Sequence, residues 1–190
     1  MAKEKPMHIP FQTFFISREV SKCPLILDII KIGQKIKVLG LEENTDSTIS
    51  LSYGKRILIN ASGVNLIKIT YQDIIEVVDY DPVKNVVLAI GKQNPVIETP
   101  VHWIIHHARE DVNAIIQFNG EKIVKKYSEN IPITKTEYPS GTIDLAKEVL
   151  KTLKESKKIV IRNIGCLFVG VSLQEVENLI FTGDEETYAS

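Results

Sequence analysis

At 190 residues and 44% hydrophobic, with 23 basic against 24 acidic residues and a formal net charge of −1, the chain suits one compact domain, residues 1–190, rather than two. Its lysines are scattered rather than massed, which excludes the basic stripe expected of a nucleic-acid partner. The longest apolar stretch, Ile164–Leu173, is well short of the ~20 residues of a membrane helix, and the spacing of Cys23 and Cys166 is not that of a metal site, so a reduced, cytoplasmic protein is expected.

Along the chain, helical and strand patterns alternate. Leu25, Ile29, Ile32, Ile36 and Leu39 recur at helical spacing, with Gly40 as a stop. Thr48–Ser52 and Arg56–Ala61 read as short strands across the Tyr53-Gly54 turn, and Ile74–Tyr80 with Val86–Ile90 as a second hairpin. Thr99 and Pro100 supply a cap and first position for a helix running to about Arg109. Ala114–Phe118 follows as an apolar strand, then a helix near Glu121–Tyr127.

The last third repeats this logic. Ile143, Ala146, Val149, Leu150 and Leu153 form one face of a helix that Thr142 can cap. Strands are expected at Lys158–Arg162 and Cys166–Val171, and Ser172 with Glu175 makes a capping-box pattern for a final helix. Hairpins interleaved with crossover helices predict an α/β fold: a three-layer α/β/α domain whose central mixed, largely antiparallel sheet is covered by helices.

Four segments together resemble the class II aldolase/adducin family, from about residue 25 to 180. They are DIIKIGQKIKVLGL at Asp28–Leu41, RILINASGV at Arg56–Val64, ETPVHWIIHHAREDVNAIIQFN at Glu98–Asn119 and IVIRNIGCLFVG at Ile159–Gly170. The resemblance implies a carbon–carbon lyase or epimerase acting on phosphorylated sugars. In it three histidines hold a zinc ion and a glutamate moves a proton beside the substrate carbonyl. It also implies a homo-oligomer, in the family commonly a ring of four.

Carried onto this chain, the glutamate falls on Glu98, while the zinc positions fall on Gln117, Asn119 and Ile164. Amide oxygens are weak zinc ligands beside imidazole, and isoleucine has no donor atom. No metal cofactor is therefore expected, although the family uses zinc. The phosphate-binding positions fall on Thr45, Thr48, Ser62 and Gly63, a residual site for a small phosphorylated ligand, and the hydroxyl pair before Glu98 has become Val96-Ile97. Glu98 has two readings, a general base in a cleft or an acidic residue favoured by a helix amino end; without a metal the second is the stronger.

His102 and His106, four apart on the same predicted helix, offer a competing metal pair. Against it, His102 matches a family histidine that is not a zinc ligand, and His106 falls where the family often has an aromatic. The expected function is thus a class II aldolase/adducin-like domain without metal-dependent catalysis, serving a structural, regulatory or ligand-binding role. The alternative is an aldolase or epimerase of small phosphorylated sugars with an altered site and Glu98 as base.

Overall fold

The computed structural model describes residues 10–36 and 47–181. Among these residues eight strands form one sheet: β1 (Gln12–Ser17), β2 (Ser47–Tyr53), β3 (Arg56–Asn60), β4 (Ile74–Asp81), β5 (Val86–Ile90), β6 (Ala114–Asn119), β7 (Lys158–Ile161) and β8 (Gly165–Gly170). Their order across the sheet is β1-β5-β4-β3-β2-β6-β8-β7. β1 lies parallel to β5, and the other neighbours pair antiparallel, so the sheet is mixed and largely antiparallel as expected.

Five helices cover it: α1 (Ile26–Ile36), α2 (Thr99–Ala108), α3 (Glu121–Tyr127), α4 (Ile143–Leu153) and α5 (Leu173–Phe181). The strand period of two sends alternate side chains to opposite faces. On one face Ile49 and Leu51 of β2, Ile116 and Phe118 of β6 and Phe168 of β8 pack with Ile29 of α1, Ile123 of α3 and Val176 of α5. On the other, Ile115, Ile159, Leu167 and Val169 pack with Ile105 of α2 and Val149 of α4. The result is the three-layer α/β/α arrangement.

The predicted cap on α4 is present, with the Leu145 amide donating to Thr142 Oγ1 at 3.2 Å. At α5 the box is shifted: Ser172 Oγ accepts from the Glu175 amide, but the Glu175 carboxylate accepts from the amide of Val171, not of Ser172. The α2 boundary also differs by one residue. Glu98, not Thr99, holds the cap position, and its side chain makes no capping bond. Thr99 instead donates its hydroxyl to the Val96 carbonyl at 2.6 Å, closing the turn before the helix.

One strand went unforeseen. β1 lies on the sheet edge with Phe14 57% and Ile16 59% exposed; of its large apolar side chains only Phe15 packs inward, so the run Phe14-Phe15-Ile16 carries no apolar/polar alternation to read. The expected helix positions Leu39 and Gly40 lie outside the described residues.

Candidate functional site

Glu98 is placed by a short ladder at the end of β3. Ala61 bridges Pro95, the Ser62 amide donates to the Asn94 carbonyl at 3.0 Å, and the Val96 amide to the Asn60 carbonyl at 3.2 Å. This delivers the 94–98 segment to the amino end of α2, where the helix dipole favours a negative charge. Only 5% of Glu98 is exposed. Its Oε1 accepts from Asn119 Nδ2 at 2.9 Å, and its Oε2 from Thr48 Oγ1 at 3.3 Å.

Gln117 and Asn119, the two strand positions onto which the resemblance carries zinc ligands, are brought together, as their i, i+2 spacing on β6 requires. They meet as amides: Gln117 Nε2 donates to Asn119 Oδ1 at 2.8 Å, so Gln117, Asn119 and Glu98 form a chain. Ile164 lies in the turn before β8 and packs with the apolar cluster of Ile159, Ile161 and Leu167. Its carbonyl accepts from the Gly120 amide at 2.8 Å, which holds this turn against the end of β6. Among the described residues no three His, Cys, Asp or Glu side chains converge where a metal ion could sit.

His102 and His106 have another employment. α2 is laid along β2 so that Glu98, His102 and His106 meet the hydroxyls of Thr48, Ser50 and Ser52. A helix advances ~6 Å over four residues, and a strand ~6.6 Å over two, so the two rows stay in step. Ser50 Oγ lies 2.7 Å from His102 Nδ1 and 2.8 Å from His106 Nε2. Ser52 Oγ lies 2.8 Å from His106 Nδ1, which also sits 3.3 Å from the Val112 carbonyl. Both imidazoles of the competing metal pair thus turn to strand hydroxyls, and a joint metal role for them is not what the geometry favours. His107 faces away, its ring stacked on Trp103 with centroids 4.0 Å apart.

Burial pushes the His102 imidazole down to about 3, helped by neighbouring His106 and opposed by the polar side chain of Gln117. Burial likewise lowers His106 to about 4, against the opposing bond to the Val112 carbonyl. Both rings are therefore neutral near pH 7. His102 Nε2 and Gln117 Oε1 are both buried and have no hydrogen-bond partner.

Ser50 and Ser52 escaped the sequence reading. Their signal was the row of hydroxyls at alternate positions 48, 50 and 52, matched by Glu98, His102 and His106 at helical spacing.

Beside Glu98 lies a cavity of about 280 Å³, lined among others by Ser47, Ser62, Gly63, Glu98, Asn119 and Ser140. It opens where β2 and β3 part: their pairing stops at Ser50 and Ile59, while β2 continues along β6 to Ser47. Asn60 bridges the split, accepting from the Ile49 amide at 2.9 Å and donating to the Ser47 and Ala61 carbonyls at 3.3 Å. Of the expected phosphate positions, Ser62 and Gly63 line this cavity. Thr48 does not; its hydroxyl is turned to Glu98, and Ser47 lines the wall instead. Thr45 lies outside the described residues. Among the described residues no lysine or arginine lines the cavity.

A helix-covered mixed sheet, with a carboxylate at a helix amino end facing paired side chains on a central strand, defines an α/β domain of the class II aldolase type. Residues 27–185 match the family model for the Class II Aldolase and Adducin N-terminal domain, and the chain belongs to that family. A 5-methylthioribulose-1-phosphate/5-deoxyribulose-1-phosphate aldolase of Escherichia coli O45:K1 (strain S88 / ExPEC) is 28% identical over 177 residues, covering 85% of this chain and 79% of its own.

Solved structures agree in fold. An L-fuculose 1-phosphate aldolase superposes with a TM-score of 0.68 at 19% identity, over 90% of both chains. The L-fuculose-1-phosphate aldolase of Thermus thermophilus gives 0.69 at 20% identity, over 85% of this chain and 89% of that one. No helix among the described residues is long and apolar enough to cross a membrane.

Proposed function

We propose that this chain is a class II aldolase-type domain that has lost the zinc site and works by binding or assembly rather than by catalysis. The observation that carries this reading is the chain Gln117–Asn119–Glu98, in which two amides occupy ligand positions and one of them is bonded to the would-be base. Zinc does not fit this donor set. Two neutral amides already engaged with each other and a hydrocarbon side chain cannot replace three imidazoles. Without an electrophile to take up developing negative charge, a carboxylate alone does not lower the barrier to proton abstraction at carbon.

The cavity next to Glu98 is the ligand site of this reading, for a small phosphorylated molecule held by the hydroxyls of Ser47, Ser62 and Ser140 and the backbone at Gly63, with Thr45 joining by sequence position. Exposed Phe14 and Ile16 on edge strand β1 support a homo-oligomer, with four copies expected from the family. A cytoplasmic location accords with two buried free cysteines.

One observation favours the second reading, an altered-site aldolase of a small phosphorylated sugar with Glu98 as base: the 28% identical relative is named as a sugar-phosphate aldolase. The two separate in one assay. Incubation with ribulose- or fuculose-type 1-phosphates should release no dihydroxyacetone phosphate. Release that is abolished by Glu98→Gln establishes the second reading.

A further inference from the structure

The two edges of the sheet are finished differently. At β7 the edge is covered: Ile133 bridges Val160, the Thr134 amide donates to the Val160 carbonyl at 3.0 Å, and the Val160 amide to the Pro132 carbonyl at 2.8 Å. At β1 nothing among the described residues pairs with the outer side. Backbone groups alternate in direction along a strand. The Gln12 amide donates to the Asn85 carbonyl at 3.0 Å, so Gln12 and Phe14 turn their amides and carbonyls toward β5. Thr13 and Phe15 turn theirs outward. An open edge is a template for another strand, and lysine, proline or an inward charge is the usual guard against it. The β1 sequence QTFFIS has no such guard, and it exposes Phe14 and Ile16 beside the open backbone.

We infer that β1 is the pairing edge for a second copy of this chain, joined antiparallel about a two-fold axis at Phe14. The inference deepens the homo-oligomer reading above and rests on it. Two identical edges in one sheet meet as the same patch on both copies, which makes the contact isologous and the strands antiparallel. The outward groups then fix the register. Thr13 faces the partner's Phe15 and Phe15 faces the partner's Thr13, each pair exchanging two N–H···O bonds, four in all. Moving the axis to Thr13 would call on Phe11, which lies in the bend before the strand. Moving it to Phe15 would call on Ser17, past the bulge, whose carbonyl already accepts from the Gly91 amide at 3.1 Å.

The side chains agree with this register. Phe14 meets its own copy at the axis, in the non-hydrogen-bonded position where opposed side chains come closest. On its inner side it stands next to Leu88 of β5, itself half-buried, so an apolar strip runs from Leu88 through both Phe14 rings to the partner's Leu88. With no charged residue in β1, two copies approach without like-charge repulsion. A specific interface needs about 1,000 Å² in total, and two six-residue strands reach only the low end of that range. The contact therefore pairs copies two by two in a concentration-dependent step.

Sedimentation velocity of the full chain over a wide concentration range, together with oxidative cross-linking, tests it. The unaltered protein should form assemblies of an even number of chains. Thr13→Pro deletes one outward N–H and leaves the β1–β5 ladder alone, a change an edge strand tolerates, while Phe14→Lys sets a charge on the axis. Each should weaken the pairing about tenfold or more, with circular dichroism unchanged. Phe14→Cys reads the register. Opposed residues there lie about 4.5 Å apart between Cα atoms, a gap a disulfide spans, so mild oxidation should give a covalent dimer. Cys23 and Cys166 are buried and do not compete. Ile16→Cys should not cross-link, being four residues out of step with its copy, about 13 Å. A chain monomeric at every concentration overturns this inference and the homo-oligomer reading together. An oligomer that keeps its size in Phe14→Lys and Thr13→Pro, or that cross-links through Ile16→Cys and not Phe14→Cys, overturns the pairing at β1 alone.

Discussion

Asn119 donates its side-chain amide to Oε1 of Glu98 at 2.9 Å, and this bond ties a strand position of the family's metal site to the carboxylate beside it. Glu98 is thereby a structural acceptor as well as a candidate base. Glu98→Ala should remove the acceptor of both Asn119 and Thr48 and cost about 1–3 kcal/mol, the penalty of buried donors left unmet. Glu98→Gln keeps an oxygen for Asn119 and should cost under about 1 kcal/mol. Urea unfolding midpoints of the two variants check this ordering.

Ser50 and Ser52 carry unequal burdens. Ser50→Ala strips the partner from both His102 Nδ1 and His106 Nε2 in a buried setting, with an expected cost of about 2–4 kcal/mol. Ser52→Ala removes a bond at a partly exposed position that water can reach, and should cost about 1 kcal/mol or less. Equal losses in denaturant unfolding would contradict the buried zipper.

Stability should fall on mild acidification. An unfolded-chain histidine binds a proton near pH 6.5, whereas in the folded protein His102 stays neutral to about 3 and His106 to about 4. The unfolded state thus binds more protons throughout this window. The stabilisation is complete above about pH 6.5 and drains away as pH drops toward 4, on the order of several kcal/mol for the two rings together. Unfolding free energies at pH 7 and pH 5 measure the loss, and His102→Gln with His106→Gln should flatten the dependence.

The layers of this fold were legible because most elements declare themselves by period: Ile26, Ile29, Ile32 and Ile36 line the buried side of α1, and Leu145, Val149 and Leu153 that of α4. β1 was not, because Phe14 and Ile16 face outward beside inward Phe15, and its register depends on the distant strand β5. At the site, the meeting of Gln117, Asn119 and Glu98 followed from strand spacing and resemblance. The partners of His102 and His106 did not. Choosing between a metal pair and a hydroxyl zipper requires knowing that α2 lies along β2, and nothing local to either segment says so.

Gly165 sits opposite Asn119 in the β6–β8 register, and a Cβ there would lie 2.0 Å from the Phe118 carbonyl oxygen and 2.7 Å from the Asn119 Cα. Backbone cannot yield that far without breaking the pair. Gly165→Ala should cost about 3 kcal/mol or more, in line with the penalties of overpacking. The measurement is thermal unfolding, with Gly54→Ala as a contrast: that site is spatially open, and only its φ of +61° resists a side chain.

The direct test of the proposed loss of the zinc site is the metal content of the protein purified without chelators, set against the variant carrying Gln117→His, Asn119→His and Ile164→His. The unaltered chain should hold well under one equivalent of zinc, cobalt or manganese, with a clear gain of zinc once the imidazoles are supplied. One tightly held ion per unaltered chain, released by substitution of Gln117 or Asn119, would contradict the loss of the site.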